Sequence, residues 1–329
     1  MRGWPMVVIV VLGLLAVAVW ALFQFGPREK VDLNASFEPR RFGEGVGVYF
    51  ETVESYHPDI TQGVEKRVIW AGQRETRTPV SILYVHGFSA TSEEIRPVPD
   101  EIAKALGANL VYTRLAGHGR PGAAMGDVTA NDWMQDMAEG LAAARAVGDR
   151  VVVMATSTGG TLALAAALDP ELSKDVAALV LISPNLGVNN PKAYMMTWPW
   201  ARHLLALTGG RIRHLEGRTE LHEKYWSNDY PISVVAVMAA LVKKVNRLPA
   251  ETATIPALFR FSDDDQVVVP EATRAFAERW GGPVTLQVIP GSEIDDPSAH
   301  VIAGDLVSPS QNAPTVAQVT DWLKQTLDL

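Results

Sequence analysis

Val151-Val-Val-Met-Ala-Thr-Ser-Thr-Gly-Gly160 is the stretch that decides the reading of this chain. Its first five residues are apolar without alternation, as in a strand buried on both faces of a sheet. They run directly into Ser157, with Ala155 two residues before it and Gly159 two residues after. This is the Gly-x-Ser-x-Gly pattern with Ala at the first position. A strand that turns so sharply into a helix strains the central residue and tolerates only small neighbours at those two places. A serine held there lifts its hydroxyl above the sheet, and the helix that follows aims its positive end at it. A Ser/Thr/Gly turn that merely ends a strand fits the pentapeptide equally well, so the rest of the chain must decide.

Outward from this segment, apolar runs alternate with helical spacing. The pattern predicts strands at Val68–Ala71, Val80–Val85, Leu110–Thr113, Val151–Ala155, Ala177–Ile182, Ala257–Phe261 and Val284–Ile289. Between them it predicts helices at Glu93–Leu106, Asn131–Val147, Gly159–Leu168, Glu271–Trp280 and Thr315–Leu327. Such alternation implies an α/β fold with a mostly parallel sheet covered by helices on both faces. In such sheets ligands bind at the carboxyl ends of the strands. From about 188 to 254 no clear strand is legible. That segment is rich in Trp, Met and Leu and reads as a helical insertion, with Val234–Val242 as a helix carrying an apolar face.

Strand Val80–Val85 ends in His86-Gly87-Phe88-Ser89, and the next strand ends in Arg114-Leu-Ala-Gly-His-Gly119. These motifs, followed by the serine turn, resemble the α/β-hydrolase superfamily, in particular its carboxylesterase and monoacylglycerol-lipase-like branch. The resemblance covers roughly Val80 to the C-terminus, less the insertion. It implies an α/β-hydrolase fold with a helical cap, and a serine hydrolase acting through an acyl-enzyme intermediate. It implies that the backbone N–H groups of Phe88 and Thr158 form the oxyanion hole. Two fixed amides aimed at a developing negative oxygen need no reorganisation. His86 and His118 read as loop organisers, because the family order is serine, then acid, then histidine.

The acid is sought in Ser262-Asp-Asp-Asp-Gln-Val-Val-Val269, where three aspartates follow a strand. The family pattern, Asp then one variable residue then apolar residues, selects Asp265 over Asp263 and Asp264. Downstream of it only His300 is available, in Pro297-Ser-Ala-His-Val-Ile302. An imidazole titrating near neutrality is suited to take the serine proton and return it to the leaving group. Catalytic residues Ser157, Asp265 and His300 are therefore expected. In this family the insertion covers the site. Its Trp198, Trp200 and Trp226 are expected to line a substrate-binding cap, against the alternative that they pack as ordinary core residues.

Gly3 to Pro27 contains no charged residue, and Met6–Phe25 is apolar for the 20 or so residues that a membrane-spanning helix needs. Residues 1–27 read as a single-pass anchor. Ala16-Val-Ala18 also has the form of a signal-peptidase site, but the apolar run continues past it. Arg28, Lys30, Arg40 and Arg41 follow the span, whereas only Arg2 precedes it. By the positive-inside rule this keeps the catalytic part in the cytoplasm. The signal-like character of the segment favours export, the expectation adopted here. Residues 28–46 read as a linker and 47–329 as the hydrolase domain.

The chain of 329 residues has a formal charge of −8 with scattered basic residues, which argues against a nucleic-acid surface. With no cysteine, it has no disulfide, thiol nucleophile or cysteine metal site. No metal or cofactor motif is present: Gly43-Glu-Gly-Val-Gly47 lacks a strand–turn–helix context. The expected function is hydrolysis of small or lipid-like carboxylic esters. A thioesterase, acyltransferase or amidase using the same residues is the alternative, with a non-catalytic anchored binder behind it.

Overall fold

The structure is a computed structural model that describes residues 4–329. The helices are α1 (Trp4–Phe25), α2 (Val46–Ser55), α3 (Val98–Leu106), α4 (Ala130–Val147), α5 (Thr158–Ala167), α6 (Ala201–Gly209), α7 (Glu220–Tyr225), α8 (Val234–Val245), α9 (Pro270–Glu278) and α10 (Asn312–Leu327). The strands are β1 (Arg67–Ile69), β2 (Thr78–Val85), β3 (Asn109–Tyr112), β4 (Gly148–Thr156), β5 (Val176–Ile182), β6 (Ile212–His214), β7 (Asp229–Pro231), β8 (Ala257–Phe261) and β9 (Val284–Val288).

The main sheet has the order β1-β3-β2-β4-β5-β8-β9, and only the edge strand β1 runs antiparallel to its neighbour. Alternate side chains of the central strands enter separate cores. Leu83, Val153 and Leu181 pack with α4, α5 and α8, while Ile82, Val152 and Val180 pack with α3 and α10. The absence of polar alternation in the sequence thus reflects burial on both faces. Because the strands are parallel, their carboxyl ends share one rim. In the β2–β4 register Val85 lies beside Ala155, which brings the loop after β2 next to Ser157.

The structure departs from the sequence expectations in four places. The helix expected over Glu93–Leu106 is split into a 3-10 turn at Ser92–Glu94 and α3, because Pro97 cannot supply the N–H a continuous helix needs there. Helix α2 was not foreseen. The insertion contains a short antiparallel hairpin, β6–β7, among its helices. The segment expected as a linker packs on the domain: residues 28–38 form an extended strap whose alternate residues Val31, Leu33, Ala35 and Phe37 pack on the core, and whose Asn34 carbonyl accepts the Asn131 side chain at 2.7 Å, before a 3-10 turn at Pro39–Phe42. An extended chain puts every second side chain on one face, which is the spacing of these four.

Helix α1 is 22 residues long, or about 33 Å at 1.5 Å per residue, close to the ~30 Å hydrocarbon thickness of a bilayer. Its side chains from Met6 to Phe25 lie almost wholly outside the folded domain. By length and composition it has the form of a membrane anchor or a signal sequence.

Candidate active site

Ser157 lies between β4 and α5 at φ 52° and ψ −118°, a conformation disfavoured for any L-residue with a side chain. The surrounding backbone enforces it. The Ser157 N–H donates to the Ile182 carbonyl at 2.9 Å, and the Ser157 carbonyl accepts the Asn185 N–H at 2.9 Å. A Cβ on Gly159 would lie 2.2 Å from the Val85 carbonyl oxygen and 2.6 Å from that of His86. The small residue read in the sequence is therefore a condition for α5 to pass under the loop after β2.

His300 is brought to Ser157 from the loop after β9. Its Nε2 is 3.0 Å from Ser157 Oγ, and its Nδ1 is 2.8 Å from Asp265 Oδ2. The other Asp265 oxygen accepts the N–H groups of Val267 and Val268 at 2.8 and 2.9 Å. The neighbouring aspartates point elsewhere: Asp263 pairs with Arg274 on the surface, and Asp264 accepts the Gly291 N–H. Burial disfavours a charged imidazole at His300. The hydrogen bond and charge of Asp265, with the charges of Asp296 and Glu94, outweigh it and raise the pKa above the ordinary histidine value.

Phe88 lines the cavity beside Ser157, Thr158 follows Ser157 at the start of α5, and among the described residues the N–H of neither has a hydrogen-bond partner. Phe88 is held by ring contacts with Tyr230, His118 and Trp133, at centroid distances of 5.3, 5.9 and 6.0 Å. His86 and His118 are fully buried beneath this loop. His86 Nδ1 donates to the Gly87 carbonyl, and its Nε2 accepts the Leu115 N–H at 3.0 Å. Burial lowers both pKa values, that of His118 to about 4, so these rings act as neutral braces.

Above the site lies a cavity of about 530 Å³, within the usual range for small-molecule pockets. Met196, Leu205, Leu215, Trp226 and Met238 from the insertion give it apolar walls. Of the three tryptophans expected there, only Trp226 lines it, stacked on His222 at 4.3 Å. Trp198 and Trp200 are turned away. Trp198 packs edge-on against Phe23 of α1 at 5.4 Å, and Trp200 lies against the Gly26 turn. Their aromatic surface is used where α1 meets the insertion.

Sequence reasoning overlooked three buried polar residues. Glu94 is fully buried, and its Oε1 accepts the Gly87 N–H and the Tyr84 hydroxyl, each at 2.7 Å. Burial raises its pKa to about 7, against the lowering effect of those bonds and of His300. Asp296 accepts N–H bonds from Ser298, His300 and Val301 at 2.9, 3.1 and 2.9 Å. It also pairs with Arg218 of the insertion. Burial opposes the Asp296 charge, but the bonds from Val301, Arg218 and Ser298 hold its pKa below the ordinary value. Asn185 lines the cavity with its Oδ1 buried and unpartnered among the described residues. A carboxylate four residues before the histidine is a signal that could have drawn attention to Asp296. Nothing local marks Glu94 or Asn185 as buried.

A family model described as serine aminopeptidase, S33, matches residues 77–293. The chain belongs to this family of α/β hydrolases. The thermostable monoacylglycerol lipase of Bacillus sp. (strain H-257) is 29% identical to it over 192 residues, 58% of this chain and 73% of the lipase. Two solved structures share the fold of this α/β hydrolase. A metagenome-derived lipolytic enzyme has a TM-score of 0.65 at 18% identity, over 81% of this chain and 99% of its own. A soluble variant of monoglyceride lipase from Saccharomyces cerevisiae has a TM-score of 0.62 at 14% identity, over 80% of this chain and 91% of its own. The family match ends at 293, before the His300 loop, so the role of that histidine rests on its geometry.

Proposed function

We propose that this α/β hydrolase cleaves carboxylic esters with lipid-like acyl groups, using Ser157 as nucleophile, His300 as general base and acid, and Asp265 to orient the imidazole. The observation that carries this reading is the chain of contacts Ser157 Oγ–His300 Nε2–Asp265 Oδ2, at 3.0 and 2.8 Å. With its Nδ1 proton donated to Asp265, the ring presents an unprotonated Nε2 to the hydroxyl. His300 removes the Ser157 proton as Oγ attacks the ester carbonyl. The oxyanion is met by the N–H groups of Phe88 and Thr158, and each such donor is worth about 3 kcal/mol of transition-state stabilisation. Collapse breaks the bond to the alcohol oxygen, which takes the proton from His300. Water then repeats the sequence on the acyl-enzyme and releases the acid.

The apolar cavity walls support an acyl chain, and the lipase names of the relatives point the same way. The family description names an aminopeptidase, which must bind a substrate ammonium group. The one well-buried carboxylate lining the cavity, Asp296, is already engaged by Arg218, so the ester reading is favoured. We also take α1 as a membrane anchor, which would hold the cavity near its lipid supply.

Fluorophosphonate labelling and hydrolysis of p-nitrophenyl esters of increasing chain length test this reading. Both should be present in the wild type and lost in Ser157→Ala. A folded wild type that neither labels nor hydrolyses any of these esters overturns it.

A further inference from the structure

The end of α1 is clamped to the insertion. The Pro27 carbonyl accepts the Trp200 N–H at 2.7 Å, Glu29 makes a two-pronged pair with Arg202 at 2.6 and 3.0 Å, and Phe23 packs on Trp198. Gly26 permits this approach, because a Cβ there would lie 2.3 Å from Trp200 Nε1 and 2.8 Å from Pro199 Cβ. The clamp fixes the position of a groove beside it.

That groove, about 410 Å³, is separate from the active-site cavity. Arg28 and Val31 of the strap and Thr197 line it, with Ala240, Lys243, Lys244 and Arg247 at and beyond the C-terminal end of α8. Among the described residues, none of its four cations is ion-paired with a carboxylate. Arg28 donates only to the Phe23 carbonyl at 3.2 Å, and Lys243 to the Thr197 hydroxyl at 3.1 Å. The groove's one carboxylate, Glu29, is bound by Arg202. Lys243 and Lys244 favour the negative end of the helix dipole, a sufficient reason for two lysines at the end of α8. It does not explain why Arg28 converges on them from another element. Gathering like charges around a concavity costs Coulomb energy unless an anion fills it.

The position of the groove identifies the anion. Arg28 lies three residues past Phe25, the last residue of the apolar span, which puts it at headgroup depth if α1 crosses the bilayer. We propose that this groove binds the phosphate headgroup of an anionic phospholipid. The proposal rests on the spanning reading of α1. Guanidinium groups match a phosphate diester in a forked geometry, and Val31 and Ala240 offer apolar contact to the glycerol and upper acyl carbons. Basic residues directly after a span are attracted to anionic lipid. A free phosphate shares this chemistry, and the test separates the two.

The full chain in detergent micelles is titrated with phosphatidylglycerol and with phosphatidylcholine of the same acyl chains, and bound lipid is read by native mass spectrometry. A preference of about tenfold for phosphatidylglycerol is expected from several uncompensated basic residues. It should fall to near unity in K243Q/K244Q/R247Q and several-fold in R28Q, with unchanged melting curves as the folding control. Equal binding of the two lipids, an undiminished preference in these variants, or displacement of phosphatidylglycerol by millimolar inorganic phosphate overturns the proposal. Alkaline carbonate extraction of membranes containing the full chain reads the span separately. Release into the supernatant overturns the spanning reading and the lipid assignment together, whereas retention with equal lipid binding overturns the headgroup site alone.

Discussion

Asp296→Asn tests whether the loop carrying His300 is held by a single carboxylate. One oxygen of Asp296 accepts the His300 and Val301 N–H groups, and the other accepts Ser298 and Arg218. Asparagine has one acceptor oxygen, so in either orientation its NH2 faces two donors and two charge-assisted bonds are lost. At about 1.5–3 kcal/mol each, reduced by relaxation of the loop, the expected cost is about 3 kcal/mol. In a chain of this size that lowers the melting temperature by about 6 °C. The pH profile supplies a second readout. The Asp296 charge helps to raise the His300 pKa, so its removal lowers that pKa. Because the proposed base works in its neutral form, the acid limb of kcat/KM moves to lower pH than in the wild type, and the plateau falls. Arg218→Met removes only the half-exposed partner and should cost about 1 kcal/mol or less. Thermal melts and pH–rate profiles of both variants decide the matter. An Asp296→Asn enzyme with wild-type melting and an unmoved acid limb would refute the reasoning.

Gly159→Ala places a methyl group against two carbonyl oxygens that belong to the backbone and cannot swing aside. We expect loss of folded protein or of fluorophosphonate labelling, and wild-type labelling would contradict the steric account. Glu94 has a pKa raised to about 7 by burial, against about 4.5 unfolded, so between these values the native state holds the extra proton. The Glu94 contribution to stability therefore falls as pH rises through that window, and Glu94→Gln should lessen the loss of stability between pH 5 and pH 8; denaturant titrations at the two pH values check this, and an equal loss in the two proteins would dismiss it. Trp226→Ala should raise KM for long-chain p-nitrophenyl esters more than for the acetate, whereas Trp198→Ala should leave the chain-length preference unchanged. The reverse pattern would place the acyl chain elsewhere.

The parts of this protein legible in one dimension are those whose cause is local. Strands buried on both faces lack alternation, a tight strand-to-helix turn needs small residues around Ser157, and a span needs some 20 uncharged residues; each is a constraint on neighbours along the chain. The order of serine, acidic run and histidine named a short set of candidates. The family pattern picked Asp265 from the acidic run, and the contacts that make the difference are spatial: Arg274 takes Asp263, the Gly291 amide takes Asp264, and two amides with His300 take Asp265. The same holds for the tryptophans of the insertion, of which one faces the cavity and two lie against the α1 end. Glu94 and Asp296 carry no local mark either. A carboxylate is solvated or buried according to which segments, distant in sequence, fold over it, and Tyr84, Gly87 and Arg218 meet these two only after the sheet and the cap have assembled. Steric rules act between neighbouring residues, whereas burial and charge pairing act between whatever the fold brings together, and only the tertiary structure decides the latter.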